Sequence, residues 1–254
     1  MKFRFTLLAF SVCILSAQTP NLSGVWKANT EKSKFVGQAP TTYLMIIEQK
    51  DTTVTGKVGM TNPRGEDRSS FTYNTAKPSV NSFRGIPVRT KSSWDGNTLV
   101  VDGHMGGARP GDMHDKYVLA PDGKTLTLES TVTMGGRDRA QTIVFEKQPD
   151  SAGEALNKPE ENAGAHHKNL KLLADMPDSQ FMDAMRYFTF ALGKDCEFCH
   201  VQGNFASDDK PQKATARMMI AMNGNINKEN FKGHMVVRCF TCHQGHQEPV
   251  TVPE

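Results

Sequence analysis

Two short segments constrain this chain more than any other feature of it. They are Cys196-Glu197-Phe198-Cys199-His200 and Cys239-Phe240-Thr241-Cys242-His243. Each sets two thiols about one turn apart, with an imidazole beside the second. That spacing lets both thiols add across the two vinyl groups of one porphyrin, and it holds the His beneath the iron as proximal ligand. The pattern predicts two covalently attached haems c, bound through Cys196, Cys199, Cys239 and Cys242, with His200 and His243 as iron ligands. Two C-x-x-C pairs also suit a zinc site of four thiolates, and one pair alone suits a dithiol redox site. Neither alternative explains why a His follows both pairs at once.

Cysteine usage agrees. The chain has five Cys, and Cys13 falls in an apparent export signal. The other four all lie in the two motifs, leaving none for a structural disulfide. Residues 1–17 read as a signal peptide: Lys2 and Arg4 open it, Phe5 to Leu15 is apolar but too short to span a bilayer, and Ala17 suits cleavage. Val12 before Cys13 is a poor lipobox, so no lipid anchor is expected. No later segment is long and apolar enough to cross a membrane. The expected location is periplasmic or exported, including the outer face of the inner membrane, where haem c is attached. Net charge is +3, and Lys2 and Arg4 carry two of those charges. The remainder is nearly neutral, which gives no electrostatic basis for binding nucleic acid.

Residues 20–148 read as antiparallel β. Apolar and β-branched runs occur at Thr41 to Glu48, Asp51 to Val58, Phe71 to Asn74, Val88 to Trp94, Leu99 to Val101, Lys116 to Leu119, Leu126 to Leu128 and Thr142 to Phe145. Asp95-Gly96-Asn97 and Pro121-Asp122-Gly123-Lys124 are turn signals. Eight to ten short strands without a convincing helix predict an up-and-down barrel or a sandwich. Leu22-Ser23-Gly24-Val25-Trp26 resembles the opening of small lipocalin-like domains, where the Trp plugs one end. Arg64, Arg68, Arg84, Arg89, Arg109, Arg137 and Arg139 are candidates for an anion pocket, although solvated outward faces explain them as well. His104 and His114 read as loop residues rather than metal ligands. This half either docks the protein on a partner or binds an unnamed ligand.

Residues 149–167 read as a linker, and residues 168–250 as a small helical dihaem domain, so the class is α+β multidomain. His166 and His167 read as an exposed junction, with distal ligation as the alternative. A helix is predicted from Asp178, as N-cap, to Leu192, with Gly193 as its stop. Phe181, Met185, Phe188 and Leu192 make its apolar stripe. A second helix is predicted from Pro211 to Asn227, with Thr215, Met219, Met222 and Ile226 as its stripe. The Met side chains suit either core packing or the sixth position on iron.

Phe181 to His200, Phe205 to Pro211, Ala216 to Asn227 and Cys239 to Gly245 together resemble the photosynthetic reaction-centre cytochrome c subunit family. In that family a distal Met lies on the helix preceding each haem motif. The resemblance implies Met185 as distal ligand of the first haem and Met219 of the second, with Met222 or His234 as replacements for Met219. It implies an electron carrier rather than an enzyme, serving redox proteins including a membrane electron-transfer complex. The family's full subunit has four haem motifs and this chain has two, so electron transfer is implied more securely than photosynthesis. A haem enzyme such as a peroxidase, with one open iron position, and a zinc-binding module are the alternatives.

Overall fold

A computed structural model describes residues 19–252, apart from Arg64 and 107–109. The expected signal segment with Cys13, and two of the candidate arginines, Arg64 and Arg109, therefore lie outside the described residues.

Ten strands form one antiparallel sheet: β1 (Gly24–Ala28), β2 (Thr42–Lys50), β3 (Thr53–Asn62), β4 (Gly65–Asn74), β5 (Ser79–Phe83), β6 (Ile86–Asp95), β7 (Thr98–Met105), β8 (Gly111–Leu119), β9 (Thr125–Met134) and β10 (Arg137–Gln148). Every strand pairs with its chain neighbour except β4 with β5, and β1 also pairs with β10. The result is a nearly closed barrel, which decides between the two β architectures expected. Alternation drives it. In β7, Leu99, Val101, Gly103 and Met105 are buried while Val100, Asp102 and His104 between them are not. Side chains on one face of each strand therefore meet across the axis. Trp26 is fully buried, and its Nε1 donates to the Leu22 carbonyl at 2.9 Å. Around it pack Phe145, Ile47, Met45, Leu126 and Leu99.

The seam between β4 and β5 is stitched by one side chain. The Thr72 amide donates to Asn81 Oδ1 at 2.7 Å, and Asn81 Nδ2 donates to the Thr72 carbonyl at 3.0 Å and to Thr90 Oγ1 at 2.8 Å. The carboxamide thus stands in for a missing ladder rung. Asn81→Ala removes these bonds and should cost about 1–2 kcal/mol. Amide hydrogen exchange checks this, with faster exchange at Thr72 and little change on β8 and β9.

His104 and His114 prove to be strand residues, correcting the loop reading. On adjacent strands β7 and β8, His104 Nδ1 faces Asp112 Oδ1 at 2.8 Å, and His114 Nδ1 faces Asp102 Oδ1 at 2.7 Å. These are exposed cross-strand pairs of the kind that fix register.

After the barrel the chain makes two single-turn helices, α1 (Glu154–Asn157) and α2 (Ala163–His166). Leu156 lies against Gly59 of β3, and Arg68 on β4 donates to the Lys158 carbonyl at 3.0 Å. Three further helices follow: α3 (Asp178–Leu192), α4 (Pro211–Asn230) and α5 (Cys239–His243). Helix α3 packs on β4 and β6, across the barrel seam. There the β5–β6 turn passes so close that a Cβ on Gly85, which has φ of +82°, would lie 2.0 Å from the Asp183 carbonyl oxygen. Only glycine fits that contact.

One buried group is out of character with the core. Asp115 of β8 points inward at 5% exposure. Ser130 hydrogen-bonds its carboxyl, yet Oδ1 has no partner. Burial, partly offset by Ser130 and His114, pushes its pKa from 3.8 up to about 6. The folded state therefore holds this proton more tightly than the unfolded chain. The group's stabilising contribution is complete below about pH 4 and is lost as pH rises to about 6, a deficit of about 2–3 kcal/mol. Asp115→Asn should be more stable than the parent by that amount at pH 8, with the gap closing towards pH 4. Urea midpoints across this range measure it.

Candidate functional site

The first motif begins in a 3-10 turn, Cys196–Phe198. Asp195 caps it, accepting from the Phe198 amide at 3.1 Å. The His200 amide donates to the Cys196 carbonyl at 3.0 Å, so the imidazole follows directly from the turn that carries the thiols. His200 Nδ1 lies 2.9 Å from the Phe205 carbonyl oxygen. A carbonyl only accepts, so Nδ1 carries the proton and Nε2 keeps its lone pair for a metal. Lys213 of α4 fixes this carbonyl's loop. Its Nζ donates to the carbonyls of Phe205, Ala206 and Ser207 at 2.9, 3.0 and 2.8 Å.

The second motif is α5 itself. Thr241 Oγ1 accepts from the Arg238 amide at 3.0 Å. The Phe240 amide, one of the orphan donors of a helix start, is met by the Tyr187 hydroxyl at 3.3 Å. The Phe240 ring stacks on Phe190 with centroids 4.9 Å apart. Both aromatic partners come from α3. Beyond the motif, the Gly245 amide donates to the Ala191 carbonyl at 2.9 Å. Gly193, with φ of +61°, ends α3 where a Cβ would strike the Gly245 carbonyl. His243 is buried, and its Nδ1 lies 3.1 Å from the His246 carbonyl oxygen. Again Nε2 keeps its lone pair for a metal.

Asn227 sets the approach to α5. It is 1% exposed, donates to the Val237 carbonyl at 2.6 Å and accepts from the Val236 and Val237 amides at 2.9 Å each. One side chain thus holds the backbone just ahead of Arg238. Neither Asn227 nor Tyr187 was singled out from sequence. Their partners are backbone groups far along the chain, which no local pattern signals.

The four motif cysteines are unpaired thiols. Burial raises the pKa of Cys199, with Lys210 opposing, and raises that of Cys239. Among the described residues, no three His, Cys, Asp or Glu side chains gather in metal-binding geometry. The two C-x-x-C pairs therefore do not converge into the four-thiolate site that zinc requires. The apolar surface nearby is unusually open. Met218 and Met222 of α4, with Phe205, Met235 and Val236, are each 47–66% exposed. Asn227 is the only fully buried residue of that helix. Thiol pairs, imidazoles with free Nε2 and open apolar walls fit a porphyrin's edge, iron and faces.

The remaining candidates are placed as follows. Met185 is half-buried on α3 and Met219 half-buried on α4, while Met222 and His234 are exposed. The adjacent histidines are occupied elsewhere: His166 Nε2 meets Glu161 at 2.6 Å, and His167 Nε2 lies 3.0 Å from Asp178 and stacks on Phe181. Asp178 was expected as the N-cap of α3. It is instead the first helical residue, Pro177 holds the cap position, and its carboxylate pairs with His167. Helix α4 runs three residues past its expected end at Asn227, to Asn230, where the Phe231 amide still donates to the Asn227 carbonyl at 3.0 Å. Of the arginines, Arg68 is committed to Glu66 and the Lys158 carbonyl, while Arg84, Arg89, Arg137 and Arg139 are exposed.

Comparison with known proteins adds four findings. A model of the family "Photosynthetic reaction centre cytochrome C subunit" matches residues 124–253, taking in β9 and β10 as well as the helices. Cytochrome c-554 of Chloroflexus aurantiacus is 39% identical over 82 residues, covering 30% of this chain and 20% of that protein. The photosynthetic reaction center cytochrome c subunit of Roseobacter denitrificans is 36% identical over 101 residues, covering 35% of this chain and 27% of its own length. The chain thus spans less than a third of either relative. Half of the chain superposes on apo lipid binding protein 8 of Caenorhabditis elegans at 12% identity and a TM-score of 0.39, covering 95% of that chain.

Proposed function

Because the chain belongs to the photosynthetic reaction centre cytochrome c subunit family, we propose that it is an exported dihaem c-type cytochrome that passes electrons between redox proteins. The observation that carries this is the matched pair of Nδ1-to-carbonyl bonds, on His200 and on His243. Each fixes the tautomer that presents Nε2, directly beside a pair of free thiols. Cys196 and Cys199 hold one haem, and Cys239 and Cys242 the other. When bound, haem supplies a one-electron iron couple. The chain's own residues tether it, orient the proximal imidazole and cover its faces.

Met185 and Met219 complete the iron coordination in this reading. A filled sixth position leaves no site for substrate, which suits a carrier rather than a peroxidase. No helix among the described residues is long and apolar enough to cross a membrane. Residues 1–17 would direct export, residues 20–148 form the barrel domain, residues 149–167 connect, and residues 168–250 hold the haems. The partners are redox proteins at the outer face of the inner membrane, including a membrane electron-transfer complex.

The test is expression with a haem-maturation system, followed by denaturing mass spectrometry and a pyridine haemochrome spectrum. Two haems c per chain are expected. A bare polypeptide, or one that holds zinc under native conditions, overturns the proposal.

A further inference from the structure

The barrel contains a polar ring with an unmet demand. Asp115 pairs in register with Val101 on one side and Ser130 on the other, and Ser130 with Gln141. Ser92, Asp115, Ser130 and Gln141 thus share one inward level of the barrel wall. Below it lies an apolar floor of Leu99, Tyr117, Leu128 and Ile143, all buried. Above it on the same face stand Met113 and Val132, then Met134. The wall is not sealed: Ser92, Gln141, Met113 and Val132 all face the axis yet stay partly accessible. Arg139 pairs in register with Val132, and Arg137 with Met134, so two guanidinium-bearing residues share this inward face above the ring.

Asp115 is the group that gives the ring a chemistry. It is more than nine-tenths buried, its Oδ1 has no partner, and no ion pair reaches it among the described residues. A lone buried acceptor of this kind is costly and is retained in few cores. The hydroxyls of Tyr73 and Tyr117 satisfy one another instead. What Oδ1 lacks is a donor, best a positively charged one.

The geometry points to a ligand site in the barrel: a small apolar amine enters head-first, its ammonium on Asp115 beside Ser130 and Gln141, its apolar body along Met113 and Val132. Arg139, level with Met113 and Val132, and Arg137, level with Met134, would instead favour an anion above the ring, so the two readings predict opposite head-group preferences. Burial, the main cause of the raised pKa of Asp115, leaves its charged form under-compensated, which a cation at Oδ1 would relieve.

The test uses the full-length, haem-loaded protein at pH 8 and isothermal titration with three probes of equal chain length: decylamine, 1-decanol and decanoate. Decylamine should bind one per chain, at least ten-fold tighter than 1-decanol, with decanoate weakest. Asp115→Asn keeps the side-chain shape and should lower decylamine affinity at least ten-fold while leaving 1-decanol unchanged. Arg139→Gln should leave decylamine binding intact or tighten it. Equal affinity for all three probes, preference for decanoate, absence of binding, or an unchanged decylamine affinity in Asp115→Asn each overturns the inference. The haem spectra of the variants should match the parent's, so failure here is separable from failure of the cytochrome reading.

Discussion

Replacing Cys196 and Cys199 together by alanine should leave one haem per chain, and replacing Cys239 and Cys242 should do the same. The double variants should differ in what else they lose. The first motif sits on a 3-10 turn whose loop is held by Lys213 and Asp195, so its loss is local. The second is bolted to α3 through Tyr187, Phe190 and the Ala191 carbonyl, and α3 rests on the barrel seam. Loss of the second haem should therefore also loosen α3, seen as faster amide exchange at its C-terminal turn. Haemochrome absorbance per chain and intact mass read the stoichiometry directly. A variant that still carries two haems would show that the thiols are not the attachment points.

Met185→Ala and Met219→Ala should each abolish one methionine-to-ferric-iron charge-transfer band and open one iron to carbon monoxide. The midpoint potential of that haem should fall by a fraction of the ~0.8 V span that axial ligands command. Met222→Ala and His234→Ala serve as comparisons, because Met222 is 47% exposed and His234 lies on the exposed loop before α5. Both should leave the bands in place. Loss of the second band in Met222→Ala, with Met219→Ala silent, would move the ligand one turn along α4. Silence of both Met185→Ala and Met219→Ala would reject methionine ligation. The unaltered protein should bind carbon monoxide poorly at both haems.

Much of this was legible in the chain because it is local. The C-x-x-C-H spacing matches the covalent requirement of one porphyrin, so five consecutive residues carry the proposed attachment and proximal ligand without help from the fold. Helix α3 was readable for a similar reason: its stripe recurs at 3.6 residues, and Gly193 at its end tolerates the left-handed turn. Strands were readable from alternation and from the Gly96 and Gly123 turns. The lone inward Asp115 was also visible in principle, since it shares parity with Met113 and Tyr117 in β8.

Tertiary structure decided what depends on distant backbone. Nothing in the sequence around His200 or His243 says which carbonyl will hold Nδ1, because every residue carries one. The same is true of Asn81, which bridges a seam that exists only once ten strands have curled and β1 has found β10. His104 and His114 looked like loop residues until registry set them against Asp112 and Asp102. Short-range spacing fixes what can be bonded to this chain. Long-range pairing fixes how those groups are aimed, because aim depends on backbone brought together by the whole barrel and by α3 lying across it.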